Sequence, residues 1–441
     1  MMAPSRALLW LVGLLFVPAL TVVGLGGALA RTGWFVAAAT VSAAVIDVVL
    51  SLDRLAFVKV SLPSVVHGIV GRDVRVDAVV RGEDAPLALR LSLAFPPALA
   101  PRTRVVRLSR VAATGEKTTF HAKVLERGVH RAKALHFETS SRLGLWSIRR
   151  KDAIDVEIRA YPELLHDQKR LVAMLPRAQE GAFAARQVGR GRDFDRLREY
   201  VPGDPSDDIH WKATAKRRRP VTKLFKVERA QPVYVAVDAS RLAARRVPSP
   251  GGDVALLERH IVAALLLGSA AERAGDLFGL ASFSDDVHAF VRASRGRGHF
   301  RACREAAVTF AQRAVSPDFG QLFSFVADRV RTRSLVYVLT SLEDPAVAEE
   351  FAEGAARIGT RHLVVAASRV APEVRPLFSG KPVESIDEVY DRLDGHLAWK
   401  RQRLLRRTLE QRGVRMIDVD HTNVVPVLVQ SYLALKGRQA L

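Results

Sequence analysis

The chain has a single cysteine, Cys303, in 441 residues. No intrachain disulfide can form, which fits a reducing compartment. HExxH, GxSxG and CxxC are all missing, so zincin, nucleophile-elbow and dithiol chemistry lose their usual markers. His210, His260, His299 and His421 are scattered along the chain. Acidic residues are in deficit: 46 Asp+Glu against 67 Lys+Arg leave a net charge of +21. Such a surface attracts polyanions, whether nucleic acid, anionic lipid or an acidic partner. What is abundant is apolar side chain, 49% of the total, enough for about two to three domain cores.

Two long apolar runs open the chain. Ala7 to Ala30 is long enough to cross a bilayer, Arg31-Thr32-Gly33 interrupts it, and Trp34 to Leu50 follows. Helix, turn and helix make a hairpin whose two ends face one side. Lys59, Arg72 and Arg75 follow the second run and Arg6 precedes the first, which by the positive-inside tendency places the soluble part in the cytoplasm. Arg31 in the turn weighs the other way. The rival reading is a signal peptide cut near Ala28-Leu29-Ala30. Asp47 lies within the second run; an acid at that depth is either functional or a carboxylate reaching the interface from the last turns.

From Phe57 to Tyr161 the period becomes two. Val74, Val76 and Ala78 alternate with Arg75 and Asp77; Leu87, Leu89, Leu91 and Leu93 alternate with Ala88, Arg90 and Ser92. Phe120, Ala122 and Val124, then Val129, fit two strands meeting at Arg127-Gly128, and Val156 and Ile158 fit another. Several short strands at this spacing predict a β-sandwich. Leu143-Gly144-Leu145-Trp146 reads as a turn with a packed aromatic. Leu164 to Pro176 reads as a linker helix, and Gln179 to Val188 as loop.

Gly189 to Lys216, GRGRDFDRLREYVPGDPSDDIHWKATAK, is the stretch densest in residues with special backbone or polar roles. Gly189 and Gly191 permit backbone geometry closed to other residues. Asp195 to Tyr200 fits a helical turn with Leu197 and Tyr200 on one face. Pro202-Gly203 signals a turn whose amides Asp204 can bond. Arg198 and Lys212 can pair with Glu199, Asp204 or Asp208. The stretch reads either as a polar knot between domains or as a docking surface built from Gly189, Gly191, Arg198, Glu199, Tyr200, Gly203, Asp204, His210, Trp211 and Lys212. Gly189-Arg190-Gly191 is not a Walker loop, for it lacks GK[ST].

These residues, with Phe194, Ile209, Ala213-Thr214-Ala215, Lys223-Leu224-Phe225 and Glu228, resemble the signature of the domain of unknown function 58 family. Members of that family carry arginine near Asp207 and Asp208, and aspartate at the position of His210. The resemblance implies a β-sandwich-like domain before the signature and a von Willebrand factor A-like domain with it. It also implies association with MoxR-type AAA+ ATPases.

After the signature, strand and helix alternate. Pro232 to Val237 is a buried central strand; Phe278 to Phe283, Leu335 to Leu339, His362 to Ala367 and Val414 to Val419 are further strands, with an edge strand at Val287 to Val291. Leu256 to Ala274, Phe300 to Arg313, Leu393 to Arg412 and Val424 to Lys436 read as helices. Such alternation predicts a sheet covered on both faces. Asp238-Ala239-Ser240 resembles the start of a metal-ion-dependent adhesion site, whose oxygen ligands suit Mg²⁺. Asp238 and Ser240 are kept, but the second serine is Leu242 and the later aspartate is Ser341, with Glu343 and Asp344 displaced. The site is degenerate, and no cofactor is expected.

The expected architecture is a transmembrane hairpin over residues 1–54, a β-sandwich-like domain over 55–162, a linker and signature region over 163–230, and a von Willebrand factor A-like α/β domain over 231–441. The expected function is non-enzymatic: a multi-pass inner-membrane adaptor whose cytoplasmic part docks partner proteins, a MoxR-type AAA+ ATPase among them. The alternative is a membrane-tethered binder of polyanions, nucleic acid or anionic lipid; as a partner of the adaptor, nucleic acid is not expected.

Overall fold

The computed structural model describes residues 2–26, 30–82, 88–165, 167–168, 188–202, 204, 206–226, 230–248, 252–370, 373–379, 385–420 and 423–437; for 25, 188–196, 207 and 224–226 it describes the backbone alone. The chain divides into two compact units, Met1–Glu163 and Leu164–Leu441.

The first unit begins with a short strand, β1 (Met2–Pro4), and two helices, α1 (Arg6–Gly24) and α2 (Ala30–Ser51). Both helices are long and apolar enough to cross a membrane. Ser5 caps the first by accepting a hydrogen bond from the Leu8 amide. A π-helical stretch, Val12–Phe16, stands directly before Val17-Pro18. Proline removes an amide and crowds the preceding turn, which is where helices loosen. The two helices meet at Gly33, where an added Cβ would sit 2.7 Å from the Ala19 carbonyl oxygen. Close approach at a small residue is how helices pack without a hydrophobic driving force.

Among the described residues, nine strands follow: β2 (Lys59–Ser61), β3 (Val65–Ile69), β4 (Asp73–Arg81), β5 (Leu89–Leu93), β6 (Leu99–Pro101), β7 (Val106–Leu108), β8 (Glu116–Val124), β9 (Gly128–Ser140) and β10 (Trp146–Tyr161). One sheet runs β1-β10-β9-β5-β7, with β3 added parallel to β10; the other runs β2-β4-β8-β6. Val76, Val80, Phe120 and Val124 from one sheet and Leu89, Leu91, Phe137 and Ile158 from the other fill a shared core. The period-two alternation thus marks the inner faces of a sandwich. The strands on either side of Arg127-Gly128 are not paired with each other. β8 pairs with β4 and β6, whereas β9 pairs with β10 and β5, so the chain changes sheets at this point. Alternation reveals a strand's buried face, not its neighbour.

The second unit holds a two-stranded ribbon, β11 (Val188–Glu199) with β12 (Val221–Lys226), and a six-stranded sheet. That sheet consists of β13 (Pro232–Asp238), β16 (Leu277–Phe283), β17 (Val287–Ser294), β18 (Leu335–Thr340), β19 (Leu363–Arg369) and β20 (Arg415–Val419); a short hairpin, β14 (Arg246–Val247) and β15 (Val254–Ala255), lies outside it. The order is β17-β16-β13-β18-β19-β20, parallel except for the antiparallel edge β17. The ribbon corrects one expectation: Asp195 to Tyr200 is not a helical turn, because residues 188–199 extend as strand.

Helices cover both faces. A short helix, α3 (Trp211–Arg217), precedes β12. α4 (Leu256–Arg273), α5 (Arg297–Val308) and α9 (Val424–Gly437) pack one face through residues such as Leu265, Cys303 and Leu428. α6 (Phe319–Arg329), α7 (Pro345–Gly359) and the end of α8 (Ile386–Gln411) pack the other through Phe323, Phe351 and Leu409. α6 and α7 are additions to the expected elements. Their signals are a cap at Asp318 before Phe319, Leu322, Phe323 and Val326, and a cap at Asp344 before Pro345. α5 is shorter than expected and ends at Val308. Leu164 packs into the first of these cores, and Asp167 forms a buried ion pair with Arg259 at 3.0 Å. The remainder of the expected linker helix lies outside the described residues.

Candidate functional site

The signature segment folds around the ribbon β11–β12. Tyr200 donates its amide to the Pro220 carbonyl, His210 donates its amide to the Val221 carbonyl, and Ile209 bridges to Thr222. Between those ties, Asp204 accepts the Val201 amide and both of its oxygens face Arg198 Nη2 at 2.7 and 2.8 Å. The Val201 amide first, then Arg198, hold the Asp204 carboxyl below its ordinary range. His210 is the cap of α3: its Nδ1 accepts the Ala213 amide at 3.0 Å. Here an imidazole does the capping, a role that Ser, Thr, Asp or Asn more commonly takes. Thr214 accepts the Val221 amide, so the helix is tied back to the strand it precedes. Arg218 closes α3 in the left-handed region, at φ 53°.

The polar contacts that these residues make among the described residues close within the segment itself. Among the side chains left outward are Trp211, 70% exposed, and Lys212, Lys216, Arg217, Arg218 and Arg219. Glu199 pairs with Arg219 at 3.2 Å on the surface. Gly189 and Gly191 lie on β11, Tyr200 follows it, and Gly203 falls outside the described residues. The structure therefore brings Arg198, Tyr200, Asp204 and His210 together as scaffold, and presents Trp211 and Lys212 to solvent.

The second place of interest is the carboxyl edge of the sheet, where β13 stands between β16 and β18. Ligands of open α/β sheets bind at such switch points. Asp238 ends β13 and is buried. Thr340 donates its hydroxyl to Asp238 Oδ2 at 2.6 Å, and the Ser240 amide donates to Oδ1 at 2.8 Å. Burial pushes the Asp238 carboxyl above its ordinary range against these hydrogen bonds. Ser240 is itself buried and turns its hydroxyl to the Leu242 amide. Glu343 is drawn away, held by Arg369 at 2.7 Å and Arg245 at 2.9 Å. The donor set does not fit Mg²⁺: one carboxylate has both oxygens occupied, and the next is neutralised by two guanidinium groups. Among the described residues, no group of three or more His, Cys, Asp or Glu is placed to hold a metal.

Beside this edge, Ser284 Oγ lies 2.6 Å from both His288 Nε2 and Asp285 Oδ1. A nucleophilic triad needs its carboxylate on the imidazole nitrogen away from the serine. Here Asp285 lies 3.3 Å from the same Nε2, and Ser284 is buried. The cluster closes a loop; the Ser284 hydroxyl holds the Asp285 carboxyl below its ordinary range.

A third node joins residues that the sequence keeps far apart. Asp47, in the last turns of α2, is fully buried. It accepts hydrogen bonds from Ser141 Oγ (2.5 Å), the Leu143 amide (2.8 Å), the Leu145 amide (3.2 Å) and Ser51 Oγ (3.4 Å). Trp146 donates its indole N–H to the Ala44 carbonyl at 3.0 Å, and Ser5 donates to the Gly144 and Leu145 carbonyls. The carboxylate is therefore not one that reaches a watery interface. Together with the turn 141–146, it fastens both ends of the helix pair to the sandwich.

Comparison with known proteins adds a family. Residues 196–383 match the family described as protein of unknown function DUF58. The DUF58 match begins within β11 and takes in α3, the central strand β13 and the sheet as far as β19. No curated protein matches the chain. Among solved structures, a protein of unknown function from Porphyromonas gingivalis W83 is 17% identical, with a TM-score of 0.19, over 24% of this chain; the chain spans about half (49%) of that protein. An uncharacterized membrane spanning protein from Vibrio fischeri is 18% identical, with a TM-score of 0.17, over 46% of this chain and 98% of its own. Murine CRIg is 13% identical, with a TM-score of 0.15, over 23% of this chain and 97% of its own.

Proposed function

We propose that the protein is a non-enzymatic adaptor, held in the inner membrane by α1 and α2 as a two-span hairpin, with its soluble part in the cytoplasm. In this reading the second unit is a von Willebrand factor A-like domain that docks partner proteins, a MoxR-type AAA+ ATPase among them. The observation that carries the reading is Trp211. A tryptophan 70% exposed, on a helix whose cap and both flanks are fixed by hydrogen bonds, is a rigid aromatic anchor of the kind that dominates interfaces. Its neighbours Lys212 and Lys216 supply the charge that steers an acidic partner. The sheet edge supports a binding role over a chemical one, since Asp238 is engaged on both oxygens and Glu343 is paired.

The test is affinity capture of the full-length protein from detergent-solubilised membranes. The expected result is co-purification of an AAA+ ATPase, lost in Trp211→Ala and retained in a substitution at another exposed position such as Glu353→Ala. Absence of an ATPase from the wild-type capture contradicts the reading.

A further inference from the structure

α8 is a helix with two working faces. Its packed face is set by Gly395, where an added Cβ would sit 2.2 Å from the Glu373 carbonyl oxygen, and by Leu405 and Leu409, which enter the core. At 100° per residue, Ile386, Val389, Tyr390, Leu393, Leu397 and Leu404 fall on the opposite side. These six side chains are all exposed, Ile386 by 75%, Tyr390 by 67% and Leu404 by 63%. None of them is spent on the core. Lys400, Arg401 and Arg407, also exposed, lie within the same outward face, while Asp387 and Asp394 lie on its flank toward the packed side. The helix is about 39 Å long at 1.5 Å per residue, and the apolar residues of this face run from Ile386 to Leu404.

We infer that this face of α8 lies on an anionic lipid surface, its apolar stripe in the acyl–headgroup boundary and its cations among the headgroups. The composition is that of an interfacial helix: large apolar side chains on one face, with Lys and Arg whose stems can run along the apolar layer and whose charges reach out of it. The inference rests on the reading of α1 and α2 as spans, which keeps a bilayer at high effective concentration beside the second unit. A net charge of +21 favours an anionic leaflet over a neutral one. A lipid contact here would hold the α/β unit down on the membrane and fix which way its docking surface points.

The test uses the full chain in vesicles of phosphatidylcholine, with and without phosphatidylglycerol. A cysteine introduced as Leu397→Cys carries an environment-sensitive fluorophore. Cys303 stays unlabelled, because it is buried and its thiol is pushed up to about 12 by burial. The expected result is blue-shifted emission, quenched by doxyl-labelled lipid, in the vesicles containing phosphatidylglycerol. Each cation near an anionic surface is worth about fivefold in partitioning. The combined Lys400→Glu, Arg401→Glu and Arg407→Glu variant therefore loses the lipid-quenched fraction, while a label at Gln312→Cys stays in water throughout. Aqueous emission from position 397 in anionic vesicles overturns the inference. So does protection from iodide without lipid quenching, which would mean that a second copy or a partner protein covers the face. Carbonate extraction of the same preparation reads the anchor separately, so loss of the spans and loss of the α8 contact give different results.

Discussion

Two buried aspartates, one in each unit, show how the same side chain is made to serve opposite ends. Asp47 and Asp238 are both cut off from solvent and both accept a hydroxyl and an amide. They differ in what faces each oxygen. At Asp47, Oδ1 meets the Leu143 amide and Oδ2 meets the Leu145 amide, neither of which can reverse its role. At Asp238 only Oδ1 meets an amide; Oδ2 meets the Thr340 hydroxyl, a rotor that can donate or accept. The first site requires a carboxylate. The second tolerates a neutral group, in keeping with the upward push of burial on the Asp238 carboxyl.

Substitutions rank this difference. The largest effect is expected from Asp47→Ala, which strands two backbone amides and two hydroxyls; about 3 kcal/mol or more should be lost in detergent unfolding experiments. Asp47→Asn should cost about 1–3 kcal/mol, because an amide NH₂ must face a backbone N–H in either orientation. His260 gives a third term that the carboxylates do not share. Burial holds its pKa down to about 3 against 6.5 in the unfolded chain. The unfolded chain therefore takes up the proton first: the contribution is fully present above 6.5 and drains as the pH falls toward 3, by up to about 1.4 kcal/mol per pH unit. His260→Leu should flatten the stability profile of the wild type below pH 6.5, measured by denaturant titration. The smallest effect is expected from Asp238→Asn, about 1 kcal/mol or less relative to wild type, since Thr340 can reverse its role. A large loss there would erase the contrast, and a large gain in melting temperature with Mg²⁺ in the wild type would restore a metal site at the sheet edge.

The sequence disclosed these places unequally. Pro232 to Val237 reads as a central strand because a strand buried on both faces is a continuous apolar run, and nothing local competes with it. The sandwich strands are legible from their alternation, but their partners are not, as the sheet change between Val124 and Gly128 shows. Residues 188–199 mislead because a two-stranded ribbon need not carry a period-two face, and Leu197 and Tyr200 happen to sit three apart. Trp211 is prominent in the sequence, yet its exposure depends on the turn of α3, a helix of seven residues that propensity alone does not support. Asp47 was visible as an anomaly within an apolar run. Apart from Ser51 one turn on, its partners lie 94 to 98 residues away, at Ser141, Leu143 and Leu145, and no local pattern announces them. The stripe on α8 has the spacing of a core-facing face, and only the packed position of Leu409 reveals that the core is on the other side.

The account depends on the start of the chain staying with the protein and standing beside the sandwich that follows the helix pair. In the antiparallel pairing of β1 with β10, Ala3 is the partner of Ser147. The most direct measurement is oxidative crosslinking of Ala3→Cys with Ser147→Cys in native membranes, read as a mobility shift of the monomer after cleavage between the two positions. Efficient intramolecular crosslinking is predicted. A mature chain that lacks residue 3, or one in which both cysteines are present and never join, contradicts the anchored platform.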